Sequence, residues 1–135
     1  MKFVLGLVGV FSALSDLTTG RIFNVVLFPA AALAIAARLW SGGLPALPGL
    51  VLSLFLPLLL LPLWGRGLGA GDLKLLLCIC CFLQPETVPV FLFAAFGLGA
   101  ALALPILVRT KNRRAGLPFA VPVCAAVLLY LGGVY

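Results

Sequence analysis

The chain has 135 residues, of which 64% are hydrophobic and 9% charged, and its mean hydropathy is +1.32. Soluble domains are about 45–50% apolar and about 25% charged, so a soluble chain of this length could not bury this much apolar surface. The net charge of +6 could suggest a nucleic-acid partner, but the basic residues form no continuous face, so none is expected. The composition therefore predicts one membrane-embedded domain over residues 1–135, with membrane lipid as its surroundings.

Six apolar runs follow one another along the chain. In lipid such runs form helices, which satisfy their own backbone hydrogen bonds, and a span needs about 20 residues. No sustained alternation of polar and apolar residues predicts a strand. The expected fold is an all-α integral membrane protein whose first and fourth spans extend one turn into polar neighbours. The predicted spans are Lys2–Ser15, Ile22–Trp40, Leu50–Trp64, Asp72–Leu83, Val88–Val108 and Pro118–Val134.

The first run also has the features of a secretory signal peptide. Lys2 precedes an apolar core, and Ala13-Leu14-Ser15 is typical of a cleavage site. We interpret the run as a span, because cleavage there would leave Asp16 as a charged N-terminus at an apolar entry.

Two groups of small side chains within the runs have structural interpretations. Cys78, Cys80 and Cys81 lack the spacing of a zinc site, and the chain has no histidine. We expect buried thiols there, with no metal and no cofactor. In the fifth run, the small residues Gly97 and Ala101, with Ala95, Gly99 and Ala103, predict close packing against another helix.

The basic residues set a predicted topology. The positive-inside rule places the more basic set of loops in the cytoplasm. Both termini then face outward. The sparser side holds Lys2 and Arg38, and the richer side holds Arg21, Arg66, Lys74, Arg109, Lys111, Arg113 and Arg114.

The chain contains three acidic residues, and two of them flank spans. Asp16 ends the first span and Asp72 starts the fourth, so the topology places both at the cytoplasmic face. Glu86 lies in a tight link on the other side and is interpreted as a solvated loop charge. An ionisable group in or beside a span is a candidate functional site.

Two carboxylates held close together can hydrolyse a peptide bond. Such a pair does not easily ionise twice, so it shares one proton. One carboxylate takes a proton from water while the other, protonated, polarises the scissile carbonyl. The absence of histidine excludes a serine triad.

The sequence around Asp72 resembles a known family. Residues Gly69 to Leu75 match the GxGDxKL motif of the type IV prepilin peptidases, which are GxGD aspartic proteases. The stretch from Asp16 to Asn24 is similar to the family's first motif, an aspartate followed by Ile-Pro-Asn, with Phe23 in place of the proline. The stretch from Leu117 to Pro122 resembles the entry to the family's sixth helix.

The resemblance implies a role for each of these residues. Asp16 and Asp72 would be the catalytic pair, and Gly69 and Gly71 would shape the loop that presents Asp72. The remaining two, Lys74 and Asn24, would support the site. The substrate would be a prepilin or pilin-like protein, cut at the cytoplasmic face of a bacterial-type inner membrane just after a glycine.

The chain lacks the cysteine-paired cytoplasmic insert of the long, bifunctional members. It therefore resembles the short, peptidase-only form that processes Flp-type pilins, and methyltransferase activity is not expected.

Two other functions are compatible with these residues. The chain could be an inactive relative that serves as a pilus-assembly scaffold, or a small proton-coupled transporter with Asp16 and Asp72 as proton sites. The depth of the aspartates in the bilayer distinguishes the transporter, because transporter carboxylates lie near the bilayer midplane and not at the helix ends.

Overall fold

The computed structural model describes residues 2–19, 24–63, 70–110 and 120–133, and in these ranges it contains helices and no strand. Each of the six predicted runs contains a helix, so the all-α prediction is confirmed. Short 3₁₀ turns precede and follow the third helix, over Leu44–Ala46 and Leu61–Leu63. The helices are α1 Lys2–Thr19, α2 Asn24–Gly42, α3 Leu47–Leu58, α4 Ala70–Phe82, α5 Val88–Thr110 and α6 Ala120–Leu131.

Helix ends differ from the predicted spans in two informative ways. The first helix continues one turn further than its apolar run, to Thr19, as expected. The third helix ends at Leu58 rather than at Trp64, which lies outside the described residues. Pro62 explains the early end, because it has no N–H to donate to the Leu58 carbonyl and its ring clashes with that group.

The exterior of the molecule is that of a membrane protein. Among the residues that the structure describes, three segments are long and apolar enough to cross a bilayer: Lys2–Thr19, Asn24–Gly42 and Val88–Ile106. Large apolar side chains such as Trp40 and Phe93 are more than 80% exposed. Soluble monomers rarely expose apolar surface of this extent. The helices α3, α4 and α6 have 12 or 13 residues, or about 18–20 Å against a hydrocarbon core of about 30 Å. Six complete spans with outward termini therefore stay a prediction.

The helices α1 and α6 run antiparallel along a seam of small residues. A Cβ added to Gly6 would lie 3.1 Å from Leu131, and one added to Gly9 would lie 3.6 Å from Val127. Further along the same seam, Asp16 meets Ala120. The end of α1 is therefore held beside the beginning of α6.

The central helix is α4, which packs against α1, α2, α3 and α6. Its side chains form much of the core, with Leu75, Leu76 and Ile79 fully buried. The cysteines Cys78, Cys80 and Cys81 are buried and unbridged, as predicted. No group of side chains in the described ranges could hold a metal ion.

A polar junction fixes the far end of α4. The Arg38 guanidinium donates hydrogen bonds to the Leu83 carbonyl, over 2.9 Å, and to the Ser53 hydroxyl, over 3.4 Å. Ser53 is fully buried, and its hydroxyl lies 2.9 Å from the Gly49 carbonyl. A cation at a helix C-terminus satisfies the last carbonyls and complements the helix dipole. Arg38, which the sequence assigned only to the sparser of the two charged sides, therefore joins α2 and α3 to the end of α4.

The small residues of α5 pack only in part as predicted. Both Gly97 and Ala101 are exposed, and a Cβ on Gly97 would meet nothing within 4 Å. Ala95 of the predicted set is fully buried, together with Val88 and Phe91, and Gly99 and Ala103 are half-buried. The prediction of close packing is therefore confirmed at Ala95 and wrong at Gly97 and Ala101 within this chain.

We expect Gly9→Leu to destabilise the protein by about 1–3 kcal/mol, because the added carbons must separate α1 from α6. Thermal unfolding of the purified protein in detergent measures the effect. Gly97→Leu is the matched control, since it adds the same side chain to an open helix surface. Equal melting temperatures for the two variants would contradict the α1–α6 seam.

Candidate active site

Asp16 lies three residues before the end of α1 and is half-buried. The dipole of α1 disfavours an anion at this position. A second helix compensates: the Ala120 backbone N–H donates to Asp16 Oδ2 over 3.3 Å. Ala120 is the first residue of α6 and fully buried, and the first N–H groups of a helix have no partner within that helix. The Asp16 carboxylate therefore accepts a hydrogen bond from the first turn of α6, and this bond orients the carboxylate.

The last turn of α1 is secured by its own threonines. The Thr18 hydroxyl donates to the Leu14 carbonyl over 2.8 Å, and the Thr19 hydroxyl donates to the Ser15 carbonyl over 2.7 Å. Such bonds back to the preceding turn satisfy both hydroxyls locally. They hold the helical turn that carries Asp16 as it approaches α6.

Asp72 is the third residue of α4 and is also half-buried. The helix dipole favours a carboxylate in this first turn. Cys78 of α4 bonds to the Leu27 carbonyl near the start of α2, and Arg38 near the end of α2 bonds to Leu83 after α4, so the two helices run in the same direction. Because α2 begins shortly after α1 ends, the start of α4 and Asp72 lie at the same end of the bundle as Asp16. Glu86 is exposed in the turn between α4 and α5, at the opposite end. The structure thus separates the two span-flanking acids from the third.

The residues expected to support the aspartates do not all lie where the sequence predicted them. Gly71 lies inside the first turn of α4 rather than in a preceding loop, and Gly69 lies outside the described residues. Two positions along the helix from Asp72, Lys74 lies on another face of α4. There Lys74 and Asn24 line an apolar groove between α2, α3 and α4. The structure therefore places both at the aspartate end of the bundle but not on the face of Asp72.

Sequence reasoning missed the backbone donor of Ala120. An alanine N–H has no side-chain signal, and its partner Asp16 is 104 positions away.

These features define an all-helical membrane protein with two carboxylates at one end of its bundle. A family model described as the type IV leader peptidase family matches residues 3–104. The matched range includes both aspartates, and the chain belongs to this family. No curated protein and no solved structure matched the chain.

We expect Asp16→Asn to fold with nearly native stability, because the amide oxygen can still accept from the Ala120 N–H. Asp16→Leu should lose about 1–3 kcal/mol, since it leaves this buried donor unpaired. Thermal unfolding in detergent distinguishes the two variants. Equal stability of Asp16→Leu and Asp16→Asn would show that the Asp16–Ala120 hydrogen bond does not matter to the fold.

Proposed function

We propose that this protein is a membrane aspartic endopeptidase that removes the leader from prepilin or pilin-like precursors. The supporting observation is the position of its two half-buried aspartates, at the same end of two helices that pack together. Membership of the type IV leader peptidase family supports the substrate class. The GxGD type of the peptidase rests on the match of residues 69–75 to the motif.

The proposed reaction uses one proton shared between Asp16 and Asp72. The ionised carboxylate takes a proton from a water molecule, whose oxygen forms a bond to the scissile carbonyl carbon. The protonated carboxyl donates to the carbonyl oxygen, and collapse of the tetrahedral intermediate breaks the C–N bond as the leaving amine gains a proton. The Ala120 N–H orients Asp16 for this exchange.

The distribution of charge supports cleavage at the cytoplasmic face. Lys74 and the exposed Arg109 lie at the aspartate end of the bundle, and Lys2 and Arg38 lie at the other end. The excess on the aspartate side comes from the sequence of the connecting segments, which lie outside the described residues and contain Arg21, Arg66, Lys111, Arg113 and Arg114. By the positive-inside rule the aspartate end faces the cytoplasm, in a multi-pass protein of a bacterial-type inner membrane. A basic leader would then reach the aspartates from the cytoplasm while the apolar helix of the pilin stays in lipid.

The depth of the aspartates favours a peptidase over a transporter. Asp16 is in the last turn of α1 and Asp72 in the first turn of α4. Transporter carboxylates are expected near the middle of their helices, at the repeat interface. An inactive scaffold is the remaining alternative, and an activity measurement separates it from the peptidase.

We expect Asp16→Asn and Asp72→Asn each to lower cleavage of a co-expressed pilin precursor by about 10²–10⁴-fold, because each removes one partner of the proton exchange. Cleavage is read as a mobility shift, and N-terminal sequencing of the product should place the cut after a glycine. Glu86→Gln is the matched control, since it neutralises the third acid at the opposite end of the bundle.

Each variant must first be shown to be inserted in the membrane at the native level. If the native protein cuts no member of several pilin classes, the scaffold becomes the better account. If cleavage survives either aspartate substitution, the two-carboxylate mechanism is wrong.

A further inference from the structure

A groove runs along α4 on the side that faces away from Asp72. Its two walls are α2 and α3, which both pack on α4 but have few contacts with each other. The wall and floor residues are apolar, and they include Leu27, Ala31 and Ile35 on α2, Leu54 and Leu58 on α3, and Cys78 on α4. This gap between two splayed helices has a volume of ≈ 340 Å³.

The dimensions of the groove limit what it can hold. Its lining on α2 extends from Asn24 to Ile35, a length of about 16 Å along a helix, and all the empty space in the groove, including its open mouth, is ≈ 770 Å³. A helix with a diameter of about 10–12 Å occupies roughly 1,300–1,800 Å³ over that length, so the groove cannot enclose it. The groove has room for one unbranched hydrocarbon chain.

The polarity of the walls excludes a second candidate, an extended peptide. A peptide backbone needs hydrogen-bond partners for each N–H and C=O group, and its burial without them is costly. Between Leu27 and Ile35 the α2 wall is apolar, and the α3 wall and α4 floor contribute aliphatic and thiol side chains there. A hydrocarbon chain has no such groups to satisfy.

One end of the groove is positively charged. Lys74 lies there and is exposed, beside Asn24, the first residue of α2. The N-terminal end of a helix favours an anion through its free N–H groups and its dipole. This end belongs to the same side of the bundle as Asp16, which the charge of the sequence predicts to face the cytoplasmic surface of the membrane. An anionic group at the surface is therefore complementary to this end, and an acyl chain to the rest.

We propose that the groove between α2, α3 and α4 binds one acyl chain of an anionic phospholipid, whose phosphate lies at Lys74 and Asn24. The lipid then fills the space between α2 and α3 and seals the side of α4 opposite to Asp72. The site is separate from the aspartates, so it does not depend on the protein's being a peptidase.

The test is native mass spectrometry of the full chain in detergent, titrated with phosphatidylglycerol or with phosphatidylcholine of the same acyl chains. We expect the native protein to retain one phosphatidylglycerol about fivefold more tightly than phosphatidylcholine, the effect of one lysine near an anionic headgroup. Lys74→Gln should abolish this preference. Lys2→Gln is its matched control, since Lys2 is exposed at the opposite end of the bundle.

A second pair of variants tests the acyl-chain part of the site. Ala31→Phe fills the groove and should weaken both lipids at least tenfold, whereas Ala32→Phe, at an exposed neighbouring position outside the groove, should leave binding unchanged. Thermal unfolding confirms that both variants are folded. The proposal is overturned if Ala31→Phe and Ala32→Phe bind lipid equally, or if Lys74→Gln keeps the preference.

The same variants separate lipid from substrate in the groove. If Ala31→Phe leaves lipid binding intact but raises the KM for a pilin precursor, the groove holds part of the substrate and the lipid proposal is wrong. Because lipid binding is measured without a precursor, a failure of the peptidase proposal would leave this result unaffected.

Discussion

A carboxylate at the end of an apolar helix must find hydrogen-bond donors, because an uncompensated charge beside hydrocarbon is costly. Both span-flanking aspartates of this protein meet that requirement at the beginning of a helix. Asp72 lies in the first turn of its own helix, α4. Asp16 ends α1 and accepts instead from the first N–H of α6. The second solution works because α1 and α6 are antiparallel, so the topology of the bundle and the position of the acid are linked.

The position of Asp72 depends in turn on how α4 is held along its axis. This short helix carries an acid in its first turn, and its far end is met by a cation: the Arg38 guanidinium bonds to the Leu83 carbonyl beside buried Ser53. Charges of these signs at these ends both complement the helix dipole. A shift of α4 by one residue, about 1.5 Å, would break the bond at Leu83. The junction at the far end therefore sets how far Asp72 projects at the other.

Much of this architecture could be read from the sequence, since apolar runs and rare acids are strong signals in a membrane protein. The end of α3 was missed because the apolar run continues past Pro62, and hydropathy does not register a missing N–H. The contact of Arg38 with Leu83 joins residues 45 positions apart, which no local pattern encodes. The placement of Lys74 on another face from Asp72 follows from helical geometry once α4 includes both residues.

The central claim is that α1 and α4 bring Asp16 and Asp72 together at one end of the bundle. The most direct test is cross-linking of the double variant Asp16→Cys/Asp72→Cys with a short homobifunctional thiol reagent, after the four native cysteines are replaced by alanine. The account predicts an intramolecular cross-link, identified by mass spectrometry of the joined peptides, and none in Asp16→Cys/Glu86→Cys, whose thiols lie at opposite ends. If both thiols of the first pair react singly but never cross-link, or if the second pair cross-links equally well, the two aspartates do not form one site.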